Sequence, residues 1–308
     1  MATEKVYQKQ HGQINIVLHD RQHMHVTRPE KVTEPKDRML RYIDEKFSKY
    51  IGMDHIKETV KEIYAMITIN QKREQMGLAC KHHVLHMLFK GNPGTGKTSV
   101  ARTLADIFYE MNYLSKGHFI EAERADLVGE YIGQTAQKTR ALIQKALGGI
   151  LFIDEAYSLA RGGEKDFGRE AIDTLVTHME NHHDDFILIL AGYPYEMERF
   201  LLLNPGLRSR FPFILDFEDL DGSQLIDVAK RMATERDYKL TKEAEWKLRS
   251  HLILKATEYH FSNARYVRNV IEAAIRKQAV RLIRSEHPTP EDLMLITASD
   301  LQFDDYKP

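Results

Sequence analysis

Leu85 to Thr98 reads L-H-M-L-F-K-G-N-P-G-T-G-K-T, and this stretch decides the fold. Its first half, His86 to Phe89, is a short apolar run of the kind that forms a buried strand. The chain then breaks into Gly91-Asn92-Pro93-Gly94-Thr95-Gly96-Lys97-Thr98 and resumes as S-V-A-R-T-L-A-D-I-F, with helical apolar spacing from Ser99 onward. Strand, glycine loop and helix in that order are the context in which G-x-x-x-x-G-K-[ST] binds a nucleoside triphosphate. Glycines at 91, 94 and 96 let the backbone wrap a polyphosphate. Successive N–H groups at the helix start then face the anion with the positive end of the helix dipole. Lys97 adds charge at the β- and γ-phosphates, and the Thr98 hydroxyl is the expected Mg²⁺ ligand.

Composition bounds what surrounds the loop. The 308 residues suit about two domains, and 43% apolar content can build a sizeable core. Lys plus Arg number 44 against 45 Asp plus Glu, a balance that gives no electrostatic footprint for nucleic acid or an anionic membrane. One cysteine, Cys80, cannot form an internal disulfide, which fits a reducing compartment. The N-terminus lacks an apolar signal core and no apolar run reaches membrane-spanning length, so a soluble cytoplasmic protein is expected.

Residues 1–36 form a polar, histidine-rich extension. Within it Gly12 to Leu18 alternates as a strand and pairs with Met24 to Val26. His19, His23 and His25 lack a carboxylate or cysteine at ligand spacing, so they are taken as exposed strand positions. Arg38 to about Gly77 is helical, with Met39, Tyr42, Ile43 and Phe47 on one face. Asp54 is the expected N-cap of a second helix whose stripe is Ile56, Val60, Ile63, Tyr64 and Ile67. Four further apolar runs, at His118–Glu121, Ile150–Ile153, Phe186–Ala191 and Phe211–Leu215, alternate with helical sequence. That alternation predicts a parallel α/β sheet covered on both faces, as a nucleotide-binding domain over 37–217. Phe217 to Gly222 is the expected hinge to a helical domain at 218–308. From Ser223 to Ile283 only helical periodicity is visible, Trp246 is placed in that domain's core, and a short closing element runs from Asp292 to Leu301. His178, His182 and His183 lack the H-E-x-x-H pattern and suit a solvated helix end.

Two more stretches carry chemistry, and a third opens a helix. Gly149 to Glu155 is an apolar strand ending in two carboxylates, expected to lie beside the loop strand. Asp154, 56 residues after Thr98, is placed to hold Mg²⁺ through its waters, and Glu155 to orient or deprotonate the attacking water. Asn204 to Phe211 holds Arg208 and Arg210 just before a strand. Hydrolysis of a γ-phosphate gains roughly 10³–10⁵ in rate from a cation supplied in trans. An arginine here does not easily reach its own loop, which implies a neighbouring subunit. Arg265 opens a helix of the second domain and is a candidate for contacting the same nucleotide.

Together these blocks resemble the AAA+ ATPases, and the CbxX/CfqX branch in particular. The similarity lies in G-E-Y-I-G-Q-T-A at 129–136, L-F-I-D-E-A-Y-S-L-A at 151–160, A-G-Y at 191–193 and N-P-G-L-R-S-R-F at 204–211. The resemblance implies a five-stranded parallel core with helices on both faces, an α-helical lid, ATP and Mg²⁺ as cofactors, and a homo-oligomeric, hexameric ring that remodels a protein client. It further implies that Asn92, Pro93, Gly94, Thr95, Gly96, Lys97, Thr98 and Ser99 form Walker A, and that Asp154 and Glu155 form Walker B. By the same resemblance Arg210 is the arginine finger, with Arg208 second, and Arg265 is the second sensor. Ile51 and Gly52 would contact adenine, and Tyr131, Ile132 and Gly133 would form a pore loop, unless Tyr131 is a packed tyrosine. Many family members end the fourth strand in a polar first sensor; here the slot holds Gly192-Tyr193, and Tyr193 either offers its hydroxyl or packs. The resemblance, which extends to the G-Q-I-N-I-V-L lead and to residues 115–133, carries an expectation of a role in spore formation. A nucleotide-gated scaffold and a rubisco-activase-like remodeller are the alternatives.

Overall fold

The computed structural model describes residues 35–80, 83–131, 133–162, 167–182, 184–258, 261–284 and 287–303. The strands expected at 12–18 and 24–26, their histidines, Ile132 and His183 lie outside these residues.

Helices α1 (Pro35–Phe47) and α2 (Asp54–Gln75) lead into β1 (Met87–Gly91), the phosphate loop and α3 (Lys97–Glu110). The core continues through β2 (Phe119–Ala122), α4 (Arg124–Leu127), α5 (Gln134–Ala146), β3 (Ile150–Ile153) and α6 (Gly168–Asn181). It closes with β4 (Ile187–Gly192), α7 (Pro194–Leu203), α8 (Pro205–Arg208) and β5 (Phe213–Phe217). The five strands form one parallel sheet in the order β2-β3-β4-β1-β5. Successive side chains on each strand go to opposite faces. Met87, Phe89, Phe152 and Ile189 pack with Val100, Leu104 and Phe108 of α3 and with Ile56, Val60 and Ile63 of α2. Leu88, Leu151, Ile153, Leu188 and Leu190 pack on the other face with Ile143, Ile172, Leu175 and Phe200. Because both faces are buried at the sheet's centre, β3 and β4 are continuously apolar rather than alternating, whereas the edge strands β2 and β5 carry exposed Glu121 and Asp216.

Three expectations are corrected in this domain. β3 does not lie beside β1, because β4 intervenes, with Ile189 opposite both Met87 and Phe152. Parallel pairing nevertheless ends β1, β3 and β4 on the same edge of the sheet, so the carboxylates after Ile153 still reach the loop's side. The last strand begins at Phe213 rather than Phe211, since Pro212 has no N–H for the ladder. Met53, not Asp54, is the N-cap of α2; Asp54 is its first helical residue and pairs with Lys57 at 3.2 Å.

The helical domain comprises α9 (Gly222–Thr234), β6 (Lys239–Leu240), α10 (Lys242–Lys255), α11 (Asn263–Ile283), α12 (Pro290–Met294) and β7 (Leu295–Ile296). Asp221 starts α9 as a capping box, accepting from the N–H groups of Ser223 and Gln224 at 2.8 Å. Leu225, Leu248, Leu252, Val267 and Ile271 form its core. The purely helical expectation is corrected by β6 and β7, which pair in parallel. Two residues each are too few to show a period. Trp246 is also corrected: it is 73% exposed. Ala244, Leu248 and Leu252 face inward on α10, and Trp246 sits about 200° around the helix from Ala244.

Candidate active site

The phosphate loop takes its shape from glycines at two left-handed positions, Gly94 (φ +71°) and Gly96 (φ +98°), the latter capping α3. Gly91 has a different cause: a Cβ there would lie 2.5 Å from the Phe217 carbonyl of β5. Lys97 is 9% exposed, and its Nζ donates to the carbonyls of Gly91 at 2.7 Å and Asn92 at 2.9 Å. Burial pushes its pKa down to about 8, and Asp154 pulls in the opposite direction. The ammonium is thus held in the loop's own ring of carbonyls, poorly solvated, where an anion would restore its charge.

One cavity of about 500 Å³ collects most of the expected residues, within the usual range for a small-molecule site. Pro93 through Ser99, Asp154, Glu155, Tyr193, Ile51 and Arg265 all line it. Gly52 and Asn92 adjoin it: a Cβ on Gly52 (φ +73°) would meet the Gln224 side chain of α9, and Asn92 precedes Pro93 in the loop. Apolar side chains of Ile51, Met53, Leu220, Val228 and Met232 make one part of the lining, while Lys97, Asp154, Glu155 and Arg265 bring charge to another. Tyr50 anchors the segment before Ile51, its hydroxyl bonding the Ser99 carbonyl and the Thr103 hydroxyl, each at 2.7 Å.

The Glu155 backbone is left-handed, with φ 45° and ψ 43°, a conformation costing a non-glycine residue of order 1–3 kcal/mol and held by its surroundings. Its N–H donates to the Asp154 carboxylate at 2.9 Å. The turn exposes the Glu155 carboxylate to the cavity. For Mg²⁺, the donors fit: Thr98 and Asp154 line the same space, and Mg²⁺ takes one or two protein oxygens with phosphate and water completing its octahedron.

Gly192 fills the strand-four slot for a packing reason. A Cβ there would sit 2.7 Å from Cδ1 of Tyr157 and 2.8 Å from Sδ of Met197. Tyr157 is buried, and the Glu155 carboxylate is close enough to act on its hydroxyl electrostatically. Its ring is 5.7 Å from that of Tyr193. Burial and the Glu155 carboxylate raise the pKa of both phenols, so both remain protonated donors. Tyr193 both packs, against the Tyr157 face, and lines the cavity.

The remaining expected residues lie elsewhere. Arg208 and Arg210 are outside the cavity lining. Nε of Arg210 donates to Glu180 at 3.0 Å, with Nη2 on the same carboxylate and Nη1 on the Gly206 carbonyl. Arg208 is more exposed, 3.7 Å from Glu198. Tyr131 is 67% exposed and does not pack as a buried tyrosine, and Gly133 (φ +83°) caps α5. Sequence reasoning missed Arg268, Arg231 and Lys49, which also line the cavity. Arg268 carries a usable signal, three residues after Arg265 on one helix face. Arg231 does not: it reaches the Ser48 carbonyl at 3.0 Å across 183 residues.

A nucleotide loop covered by a helical lid is the arrangement of an AAA-class ATPase, and the comparisons with known proteins agree. Residues 87–219 match the "ATPase family associated with various cellular activities (AAA)", and 221–307 match the AAA lid domain. The chain belongs to this family and is an ATPase. Within it, the chain is 56% identical to stage V sporulation protein K of Bacillus subtilis, over 98% of this chain and 97% of that one. It is 43% identical to protein CbbX of Cereibacter sphaeroides over 78% of each chain. It is also 42% identical to the chloroplastic ribulose bisphosphate carboxylase/oxygenase activase of Cyanidioschyzon merolae, over 84% and 89%. These relatives place it in the CbxX/CfqX branch. Among the described residues, no helix is long and apolar enough to cross a membrane.

Proposed function

We propose that this ATPase is a cytoplasmic protein-remodelling machine that works as a homo-oligomeric, hexameric ring. The observation that carries the reading is the split of the site. Lys97, Thr98, Asp154, Glu155 and Arg265 converge on one cavity, while Arg208 and Arg210 lie outside its lining and pair with Glu198 and Glu180. In this reading Lys97 and the loop N–H groups hold the β- and γ-phosphates, Ile51 and Gly52 flank adenine, and Glu155 takes a proton from the attacking water. Thr98 and Asp154 would hold Mg²⁺, which would supply charge neutralisation at the phosphates. Arg265 approaches from the lid, Tyr193 orients water in place of the usual strand-four residue, and Arg210 of a neighbouring copy completes the site, with Arg208 as second choice. The exposed Tyr131, with Ile132 and Gly133, grips an extended protein client in the ring's centre.

The name of the Bacillus relative supports a role in spore formation; the name of the algal one supports rubisco-activase-like remodelling as the second reading. The balanced charge disfavours a nucleic-acid client. The test is a Glu155→Gln variant crosslinked to client in the presence of ATP. It is expected to bind ATP, assemble and hold client without turnover. Turnover surviving the substitution, or a specific activity independent of protein concentration, overturns the mechanism; normal assembly with negligible turnover in the unmodified chain favours a nucleotide-gated scaffold.

A further inference from the structure

Three segments meet behind the phosphate loop through Asn92 of the loop itself and through Asp219 and Asn263, to which no chemistry has been given. Asn92 Nδ2 donates to one oxygen of the Asp219 carboxylate at 2.7 Å, and Asn263 Nδ2 donates to the other at 2.8 Å. Asn263 is fully buried. Its Oδ1 accepts from the Leu220 N–H at 2.8 Å, and its Nδ2 also faces the Pro93 carbonyl at 3.3 Å. It opens α11 with φ +45°, a left-handed conformation that asparagine tolerates better than most residues. Beside it the Ala264 N–H donates to the Gly94 carbonyl at 3.2 Å. Gly94 itself is in close approach to the Ser262 carbonyl, leaving no room for a side chain.

The loop, the domain linker and the first turn of the lid helix therefore share one hydrogen-bonded chain, Asn92–Asp219–Asn263. A lid that swings away from the loop must break that chain or drag the loop with it, because a buried amide left unpaired is costly. Neither Asp219 nor Asn263 lines the nucleotide cavity. The chain is anchored at the start of the loop, before Lys97, so its hold on the lid needs no γ-phosphate and acts on a diphosphate as on a triphosphate.

We infer that Asp219 and Asn263 are positioning residues that hold the lid closed on the phosphate loop through Asn92 and thereby set how fast nucleoside diphosphate leaves. This rests on the nucleotide-site reading above. Lid opening and product release limit turnover in many enzymes, so loosening the chain speeds release without removing any group that touches the reacting atoms.

The experiment follows release of a fluorescent ADP analogue from the full-length protein by stopped flow, alongside steady-state ATPase kinetics and thermal unfolding. Asp219→Ala is expected to speed release and raise the KM for ATP at least about fivefold, the lower end of ordinary coupling between sites, with kcat not lowered. Asn92→Ala shifts both in the same direction by less. The double variant matches Asp219→Ala alone, because Asn92 acts through Asp219. Asp219→Asn recovers much of the slow release, since an amide keeps an acceptor for Asn263 and can exchange roles with a rotated Asn92. Release within twofold of the unmodified rate in a folded Asp219→Ala variant, additive single effects, or a fall in kcat at unchanged KM overturns the inference. Should Asp219→Ala fail to fold, Asn92→Ala decides alone, and unchanged release overturns it. Failure of the unmodified chain to bind the analogue would instead sink the nucleotide-site reading.

Discussion

The depressed pKa of Lys97 makes nucleotide affinity depend on pH in a way that can be worked out in advance. Burial lowers the ammonium's pKa from 10.5 to about 8, so the free protein has half-lost this charge at a pH where ordinary lysines retain theirs. A bound triphosphate favours the charged form and restores it, so binding near pH 8 takes up a proton. With the bound-state pKa above the range examined, Kd scales as one plus the ratio of unprotonated to protonated Lys97 in the free protein. Between pH 7.5 and 9.5 it rises about 25-fold for a free pKa of about 8. The phosphates' own second ionisation, with pKa near about 6, is complete across that window and does not contribute. The assay is a fluorescent-nucleotide titration at half-unit steps, paired with calorimetry at pH 8 in buffers of different ionisation enthalpy. The calorimetry is expected to show uptake of about half a proton per nucleotide. A Kd constant within threefold over the window, with buffer-independent heats, would refute the argument that Lys97 is desolvated in the loop. The same shift has a stability consequence of fixed sign. The folded pKa is lower than the unfolded one, so the unfolded chain binds more protons between about 8 and 10.5 and this residue's contribution to stability rises with pH there.

Other perturbations test other parts of the site. Glu180→Ala removes the carboxylate that ties Arg210 to its own subunit; since exposed ion pairs contribute about 1 kcal/mol or less, concentrated protein is expected to gain up to about fivefold in ATPase rate, and a loss would show instead that Glu180 presents the arginine correctly. Gly192→Asn should lower stability by about 1–3 kcal/mol, seen in thermal unfolding, because the new Cβ collides with Tyr157 and Met197; an unchanged melting temperature would mean the slot is open. Tyr131→Ala should leave basal ATPase and folding intact and abolish client remodelling, whereas loss of the fold would show that this exposed ring is structural.

What was legible in the sequence was whatever is local along the chain. Gly91 to Thr98 declares its loop because strand, turn and helix are contiguous, and Asp154-Glu155 declares itself by ending an apolar strand. The order of strands did not show, because every βαβ crossover leaves the same trace whether the next strand lands beside its predecessor or one place further along. That is why β4 between β1 and β3 came as a correction. Gly192 was visible as a departure but not as a consequence of Tyr157, which lies 35 residues earlier and is brought over it only by folding. Asp219 and Asn263 were invisible for the same reason: one carboxylate of an acidic linker and one amide 44 residues apart have no periodicity. Trp246 misled because size suggests burial, whereas helical phase decides it.

The position of the arginines has a consequence for when ATP can be spent. Around Lys97, the acidic groups Asp154, Glu155 and Asp219 favour the lysine's charge, while Arg265 opposes it. A triphosphate with its metal adds net negative charge to that space, and the transition state spreads further charge over the γ-phosphoryl oxygens. Lys97 cannot answer this alone, since even when fully charged against the bound triphosphate it supplies a single positive charge. The cations before β5 that could answer it are committed to Glu180, Gly206 and Glu198 on a different face. On the proposed reading, a single protomer is therefore well equipped to hold ATP and poorly equipped to hydrolyse it. Assembly then acts as a chemical step, and the concentration at which specific activity rises should coincide with the concentration at which the ring forms. Arg210→Ala protein should assemble at that same concentration yet show no rise. A rise that persists in that variant would assign the missing charge to another residue, with Arg208 the first to examine.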